Sequence, residues 1–204
     1  MPAVQIQTIW YAHKIRQLID RYRVNSGQNL YSGLMCFVVF LSEGAMLDWS
    51  AVFLKENRNV DIAFAGLGYA AFSVAMAIMR LFGDKIVSRL AGKKVVVYGS
   101  LIAASGLFMV VLTPSLLGAV LGFALLGVGA ANIVPVFFSE AGSLKDVSSA
   151  VAIPTISTMG YAGQLAGPAS LGFIAHHLSL PFALGLTGFL LLLVGISYSF
   201  KKSV

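Results

Sequence analysis

The amino-acid sequence predicts an all-α integral membrane protein with six transmembrane helices. Of its 204 residues, 58% are hydrophobic and only 11% are charged, whereas soluble domains carry about 25% charged residues. The apolar residues form six continuous runs, each near the ~20 residues that one bilayer crossing needs, and they do not alternate as barrel strands would. This composition excludes a soluble domain and a disordered chain. A disulfide scaffold is also excluded, because Cys36 is the only cysteine.

Residues 1–29 form the only long polar stretch, and we expect a basic, amphipathic cytoplasmic segment there. Apolar side chains recur at helical spacing beside four cations, which suits a short helix lying on an anionic membrane surface. Asn25-Ser26-Gly27 is expected to break this helix before the apolar sequence begins. The four cations are Lys14, Arg16, Arg21 and Arg23.

Residues 30–204 are predicted to form one six-helix membrane domain. Polar or helix-breaking stretches separate its six apolar segments, which suits helices joined by short connections. The predicted segments run over 30–54, 61–82, 94–113, 115–137, 150–176 and 181–200.

The distribution of the cations predicts the orientation of these segments. With the N-terminus inside, twelve Lys and Arg side chains fall on the inner side, and only Lys55 and Arg58 fall outside. Six crossings return the C-terminus to the side of the N-terminus. We therefore expect both termini to be cytoplasmic.

Charged and small residues are concentrated between the second and third segments. Gly83 would let the backbone turn sharply at the membrane surface, and Asp84 could pair with a cation or a helix N-terminus. A positive-inside loop with no further role explains the same residues equally well. The residues concerned are Arg80, Gly83, Asp84, Arg89, Gly92, Lys93 and Lys94.

The order of these residues resembles the cytoplasmic signature loop of the major facilitator superfamily. In that family the loop occurs once in each six-helix half and acts as a conformational latch. The resemblance therefore implies a latch role for these residues. Asp84 and Gly92 are, however, further apart than in the compact form of the loop.

Two further stretches strengthen the resemblance. EGAMLDWS at residues 43–50 is similar to the first helix of the C-terminal half in a bacterial subgroup near the fucose-permease-like transporters. GYAGQ at 160–164, followed by Gly167-Pro168, resembles the fifth helix of that half. The resemblance covers residues 30–200 and implies one half, a 3+3 inverted repeat, of a fold that normally has two. It implies that the N-terminal half is missing, that residues 1–29 replace the linker between halves, and that the chain lies in a bacterial inner membrane.

Two acidic residues lie inside the first segment. An acid near the centre of a span is disfavoured by roughly 2.5–3.5 kcal/mol. Glu43 and Asp48 are five residues apart, or ~140° around a helix, so they cannot form a paired-carboxylate site unless the helix is broken, which Gly44 would permit. We predict that Glu43 faces the translocation cavity as a protonatable or substrate-binding group and that Asp48 pairs nearer the outer surface. The alternative for Glu43 is a neutral, hydrogen-bonded structural acid.

Polar residues also form stripes on otherwise apolar segments. Stripes of this kind favour a water-accessible cavity for a polar solute. Interhelical hydrogen bonds, worth about 0.6 kcal/mol each, are the alternative for any single residue. The stripes consist of Tyr69, Ser73, Met76 and Arg80 in the second segment and Ser157, Tyr161 and Gln164 in the fifth, with Asn132 as a further candidate in the fourth.

The resemblance implies a transporter that moves a small polar solute by alternating access, with proton symport as one option. A partner half would come from another chain or a second copy. Two alternatives stay open: an inactive truncated remnant, and a structural or channel-like six-helix subunit. The expected partners are membrane lipid and the solute, not nucleic acid. No cofactor, metal site or enzymatic activity is expected, since no catalytic motif is present and the adjacent His176 and His177 lack further ligands.

Overall fold

The computed structural model describes residues 2–143 and 148–201, with side chains from residue 29 onward in those ranges. The regular secondary structure in these ranges is helical throughout. One 3-10 turn, Ile62–Phe64, precedes the second α-helix. The helices are α1 Pro2–Arg58, α2 Leu67–Leu81, α3 Gly83–Leu90, α4 Gly92–Leu112, α5 Leu116–Ala130, α6 Ile133–Gly142, α7 Ser149–His177 and α8 Leu180–Ser199.

Five stretches of the described chain are long and apolar enough to cross a membrane, which confirms a multi-pass, all-α membrane protein. They match the first, second, third, fourth and sixth predicted segments. The fifth, α7, has 29 residues and a length of about 43 Å, but its serines, threonines and glycines make it less apolar. A sixth crossing therefore stays a prediction. The five stretches are Asn29–Arg58, Ile62–Leu81, Gly92–Leu112, Leu116–Gly142 and Leu180–Ser199.

The predicted helix break at Asn25-Ser26-Gly27 is wrong, because α1 continues without interruption from Pro2 to Arg58. A single glycine inside a helix costs only about 1 kcal/mol, and neither Asn nor Ser removes a backbone hydrogen bond. The predicted amphipathic face of residues 1–26 lies outside the described side chains.

The bundle is built from close helix pairs, of which α1 with α7 is the most extensive. Glycines of α7 lie against the backbone of α1: a side chain on Gly163 would collide with the carbonyl oxygen of Phe37, and one on Gly167 with that of Leu41. Small residues allow helices to approach this closely in membranes. The helix α4 packs in turn between α5 and α8, and α2 packs against α5.

The predicted loop between the second and third segments is mostly helical. The helix α3 occupies Gly83–Leu90, and the backbone turns at Phe82 and at Ala91, which has a positive φ of 64°. Gly83 has no positive φ, so the prediction that it provides the sharp turn is wrong. Its missing side chain instead makes room for the amide oxygen of Asn132.

Candidate functional site

The fourth membrane stretch is interrupted where α5 ends and α6 begins. Ala131 and Asn132 form a turn between the two helices. Pro135, four residues after Ala131, has no N–H, so it cannot donate the helical hydrogen bond that the carbonyl of Ala131 would otherwise accept. The sequence thereby leaves a buried carbonyl oxygen that needs another donor.

The end of α2 supplies that donor. Arg80 Nε donates to the carbonyl oxygen of Ala131 at 3.3 Å. In the opposite direction, Asn132 Nδ2 donates to the carbonyl oxygen of Met79 at 3.2 Å. Asn132 is only 5% exposed, so it serves as an interhelical contact rather than lining an open cavity. These two hydrogen bonds fasten α2 to the α5–α6 junction.

Arg80 also faces Glu43 on α1. Arg80 Nη2 lies 3.6 Å from Glu43 Oε1, with 48% of the Arg80 side chain and 11% of the Glu43 side chain exposed. The distance is too long for a hydrogen bond, and Glu43 Oε1 is buried without a hydrogen-bond partner among the described residues. Glu43 therefore forms an open ion pair that joins α1 to α2.

We use "inner end" for the end of the bundle where α4 begins and α8 finishes. Lys93 Nζ donates there to the carbonyl oxygen of Lys201. At the other end, Arg58 Nη2 donates to the carbonyl oxygen of Val110 at 2.7 Å. Glu43 precedes Arg58 by fifteen residues, or about 22 Å of helix. In a hydrocarbon layer about 30 Å thick, the Glu43–Arg80 pair lies closer to the inner end.

The remaining candidates of the first and second segments are Ser73, Tyr69 and Asp48. Ser73 Oγ is buried and has no hydrogen bond within the described part of the chain. Tyr69 is 39% exposed. Asp48 is exposed and forms no ion pair with a described residue, so the partner predicted for it near the outer surface is not found there.

The stripe on α7 borders the face that packs against α1. Ser157 Oγ donates to the carbonyl oxygen of Ile153 in its own helix. Tyr161 is exposed and stacks on Phe40 of α1, with ring centroids 5.5 Å apart, and Gln164 is half-buried. The stripe therefore contains one internally bonded hydroxyl, one ring that contacts α1 and one half-buried amide.

Sequence reasoning missed Trp49 of α1. Its Nε1 donates to the carbonyl oxygen of Pro168 at 3.1 Å. Pro168 cannot donate to the carbonyl of Gln164 four residues earlier, and Gly44 packs against that carbonyl. Gly44 and Trp49 of α1 thus contact α7 where Pro168 interrupts the helical hydrogen bonds of α7.

The latch candidates do not form one cluster. Asp84, Arg89 and Lys94 are exposed, and Asp84 makes no ion pair with a described residue. Gly92 lies against Val136 of α6. Arg80 contacts α1 and the α5–α6 junction as described above, and Lys93 bonds the end of α8.

A second acid, Glu140, was not among the sequence candidates. Its Oε1 accepts from Tyr198 OH at 2.5 Å and its Oε2 accepts from Lys201 Nζ. Lys201 Nζ also bonds Tyr198 OH at 3.1 Å. Tyr198 is in the last turn of α8 and Lys201 follows it by three residues, just beyond the end of the helix; a tyrosine and a lysine this close in sequence were the available signal. This group, Glu140–Tyr198–Lys201, connects α6 to α8.

No group of three or more metal-ligating side chains occurs in the described ranges. His176 and His177 are both exposed at the end of α7, with ring centroids 5.2 Å apart. Their contact is that of a surface pair.

Comparison with known proteins decides the family. A family model described as the Major Facilitator Superfamily matches residues 32–203. The chain belongs to the major facilitator superfamily. The predicted family is thus confirmed, and by family the chain belongs with membrane transporters and not with enzymes.

Three known proteins can be named as similar to this chain. An uncharacterized MFS-type transporter of Yersinia pestis is 47% identical over 171 residues, which are 84% of this chain and 44% of that protein. Membrane protein MosC of Rhizobium meliloti is 36% identical over 155 residues, or 76% and 38%. An uncharacterized transporter of Sinorhizobium fredii is 34% identical over 172 residues, or 84% and 45%. The chain spans less than half the length of these relatives.

Proposed function

We propose that this major facilitator chain is the C-terminal six-helix half of a transporter near the fucose-permease-like subgroup. Together with a complementary half, it moves a small polar solute across a bacterial inner membrane by alternating access. The helix α7 supplies the sixth crossing, since it is long enough and packs along the length of a membrane-spanning stretch of α1.

The observation that carries this proposal is the exposure of charged side chains within apolar helices. Asp48 is exposed within Asn29–Arg58, and the side chain of Arg80 is 48% exposed within Ile62–Leu81. Charged groups inside a membrane face water or protein, because lipid cannot solvate them. A complementary half, from another chain or a second copy, would cover these positions and enclose the solute path between the halves.

The contacts at the two ends support the predicted orientation. Arg58 binds the last turn of α4 at one end, and Lys93 binds the end of α8 at the other. The inner end carries most of the cations of the described chain, as the positive-inside rule requires of a cytoplasmic face. We therefore propose that both termini are cytoplasmic.

Glu43 is our candidate for proton coupling. A charged Glu43 attracts Arg80 and so draws α1 towards α2, whereas a protonated Glu43 loses most of that attraction. Two positions could bend in response, the α5–α6 junction and the part of α7 around Pro168, because each lacks a helical hydrogen bond. Proton binding at Glu43 would thereby alter the relative positions of α1, α2 and α5.

The test uses proteoliposomes containing the chain and a complementary half from its genomic neighbourhood, with a panel of radiolabelled sugars, sugar acids and amino sugars. We expect saturable accumulation driven by an inward proton gradient, and we expect Glu43→Gln to equilibrate solute without accumulating it. Glu56→Gln, at an exposed acid beyond the charge pair, is the matched control.

Three results would count against this proposal. Unchanged uphill uptake and pH dependence in Glu43→Gln would remove the coupling role. A flux that does not saturate and only dissipates gradients would indicate a channel. An absence of flux for every solute in the panel would favour the truncated remnant or a structural subunit.

A further inference from the structure

The guanidinium of Arg80 has hydrogen-bonding capacity that the described residues do not use. Arginine has five N–H donors arranged as a planar fork. One of them, on Nε, donates to the carbonyl oxygen of Ala131, and the outer nitrogens make no hydrogen bond with any residue that the structure describes. Since 48% of the side chain is exposed, these donors are accessible from outside the chain.

The acid opposite Arg80 is also unsatisfied. A charge-assisted N–H to carboxylate hydrogen bond has a length of about 2.7–2.9 Å, whereas the Arg80–Glu43 contact measures 3.6 Å. The hydrogen bond of Arg80 goes to Ala131 and not to Glu43. The carboxylate therefore neutralises the cation from a distance without occupying its donors.

We propose that Arg80 binds an acidic group of the transported solute, a carboxylate or a phosphate, and that Glu43 is the internal anion which competes for it. The inference rests on the proposed transport function and adds the chemical class of the solute. The fork of Arg80 fits two oxygens of an oxyanion, and the hydrogen bond to Ala131 fixes the orientation of that fork.

Ser73 lies on the same face of α2 but does not extend this site to the outside. It precedes Arg80 by seven residues, about 10 Å along the helix, and its Oγ is buried and has no partner in the described ranges. The inferred solute is therefore defined by its acidic group alone.

The phosphate of a lipid headgroup offers Arg80 the same chemistry. The full chain is therefore purified in a maltoside detergent, which contains no phosphate, and binding is measured by thermal stabilisation. The four probes share one ring and differ in charge: glucose, glucuronate, glucose 6-phosphate and glucosamine. The experiment is then repeated in nanodiscs with 30% anionic lipid.

We expect glucuronate or glucose 6-phosphate to bind the wild-type chain at least tenfold more tightly than glucose, as charge-assisted hydrogen bonds allow. Arg80→Gln should abolish this preference, and Arg80→Lys should restore it only in part because a lysine cannot bind bidentately. Glu43→Gln should tighten acid binding, because the competing anion is removed. A residue that only maintained the fold would not produce this last gain.

Several outcomes would overturn the inference. Equal stabilisation by all four probes, or none by the acids even in Glu43→Gln, contradicts an anion site at Arg80. Preference for glucosamine would make Glu43 the binding group. Loss of acid binding in anionic nanodiscs alone would assign Arg80 to lipid. The proposed transport function is tested separately by flux, so it could survive any of these results.

Discussion

Glu140 and Glu43 each face a cation from another part of the chain, but the two carboxylates differ in the hydrogen bonds that they accept. Both oxygens of Glu140 have donors, Tyr198 OH and Lys201 Nζ. Glu43 stands 3.6 Å from Arg80, and its Oε1 has no hydrogen-bond partner among the described residues. A satisfied acid stabilises a fold, whereas an unsatisfied buried acid costs free energy. We infer that Glu140 has a structural role and that Glu43 has a functional role in transport.

The largest expected effect on stability lies at Glu140. Replacing it with Ala removes two charge-assisted hydrogen bonds and leaves Lys201 without its acid, so we expect the free energy of unfolding to fall by about 2 kcal/mol. The loss is held to this size because the pair is partly exposed. The measurement is equilibrium unfolding in mixed detergent micelles.

Glu43→Gln in the same assay provides the comparison. We expect it to lower the free energy of unfolding by less than about 1 kcal/mol or to raise it, since it removes no hydrogen bond and takes away an unsatisfied buried charge. A loss at Glu43 equal to that at Glu140 would contradict the division into structural and functional acids. Glu56→Ala, at an exposed acid, reports the effect of removing a carboxylate alone.

A smaller effect is expected at two serines. Ser73→Ala removes a buried hydroxyl that has no partner in the described chain, so stability should stay unchanged or rise by up to about 1 kcal/mol. Ser50→Ala is the matched control, because Ser50 Oγ donates to the carbonyl oxygen of Met46 at 2.6 Å and its loss should be destabilising. If Ser73→Ala destabilised the chain as much as Ser50→Ala, Ser73 would belong to the structural class.

The helices could be predicted from the sequence because crossing lipid requires a long apolar run, and five such runs were confirmed. The predictions failed where a local signal was weaker than the helix around it. Gly27 did not break α1, because one glycine leaves the backbone hydrogen bonds in place. The sixth crossing remains a prediction because α7 has small residues, and not large apolar ones, where it contacts α1, so it is less apolar than the five other stretches.

The charge pair could be predicted only in part. The cost of an acid inside the first segment identified Glu43 as unusual, and spacing put Arg80 on a polar stripe. Their contact could not be inferred, because it depends on the carbonyl of Ala131, which Pro135 leaves free, and thus on how α2 meets α5. For the same reason the sequence left both a cavity position and an interhelical hydrogen bond open for Asn132, whose amide bonds Met79.

The central claim, that the chain crosses the membrane six times as one transporter half, is tested most directly by the side on which the α7–α8 turn lies. In a Cys36→Ser background, single cysteines replace Ser143, Leu178 and Lys55, and intact cells are treated with a membrane-impermeant thiol reagent. We predict that cysteines at positions 178 and 55 react from outside and that the one at position 143 is protected until the cells are opened. Protection of position 178 together with position 143 would leave α7 on one side of the membrane and contradict the account.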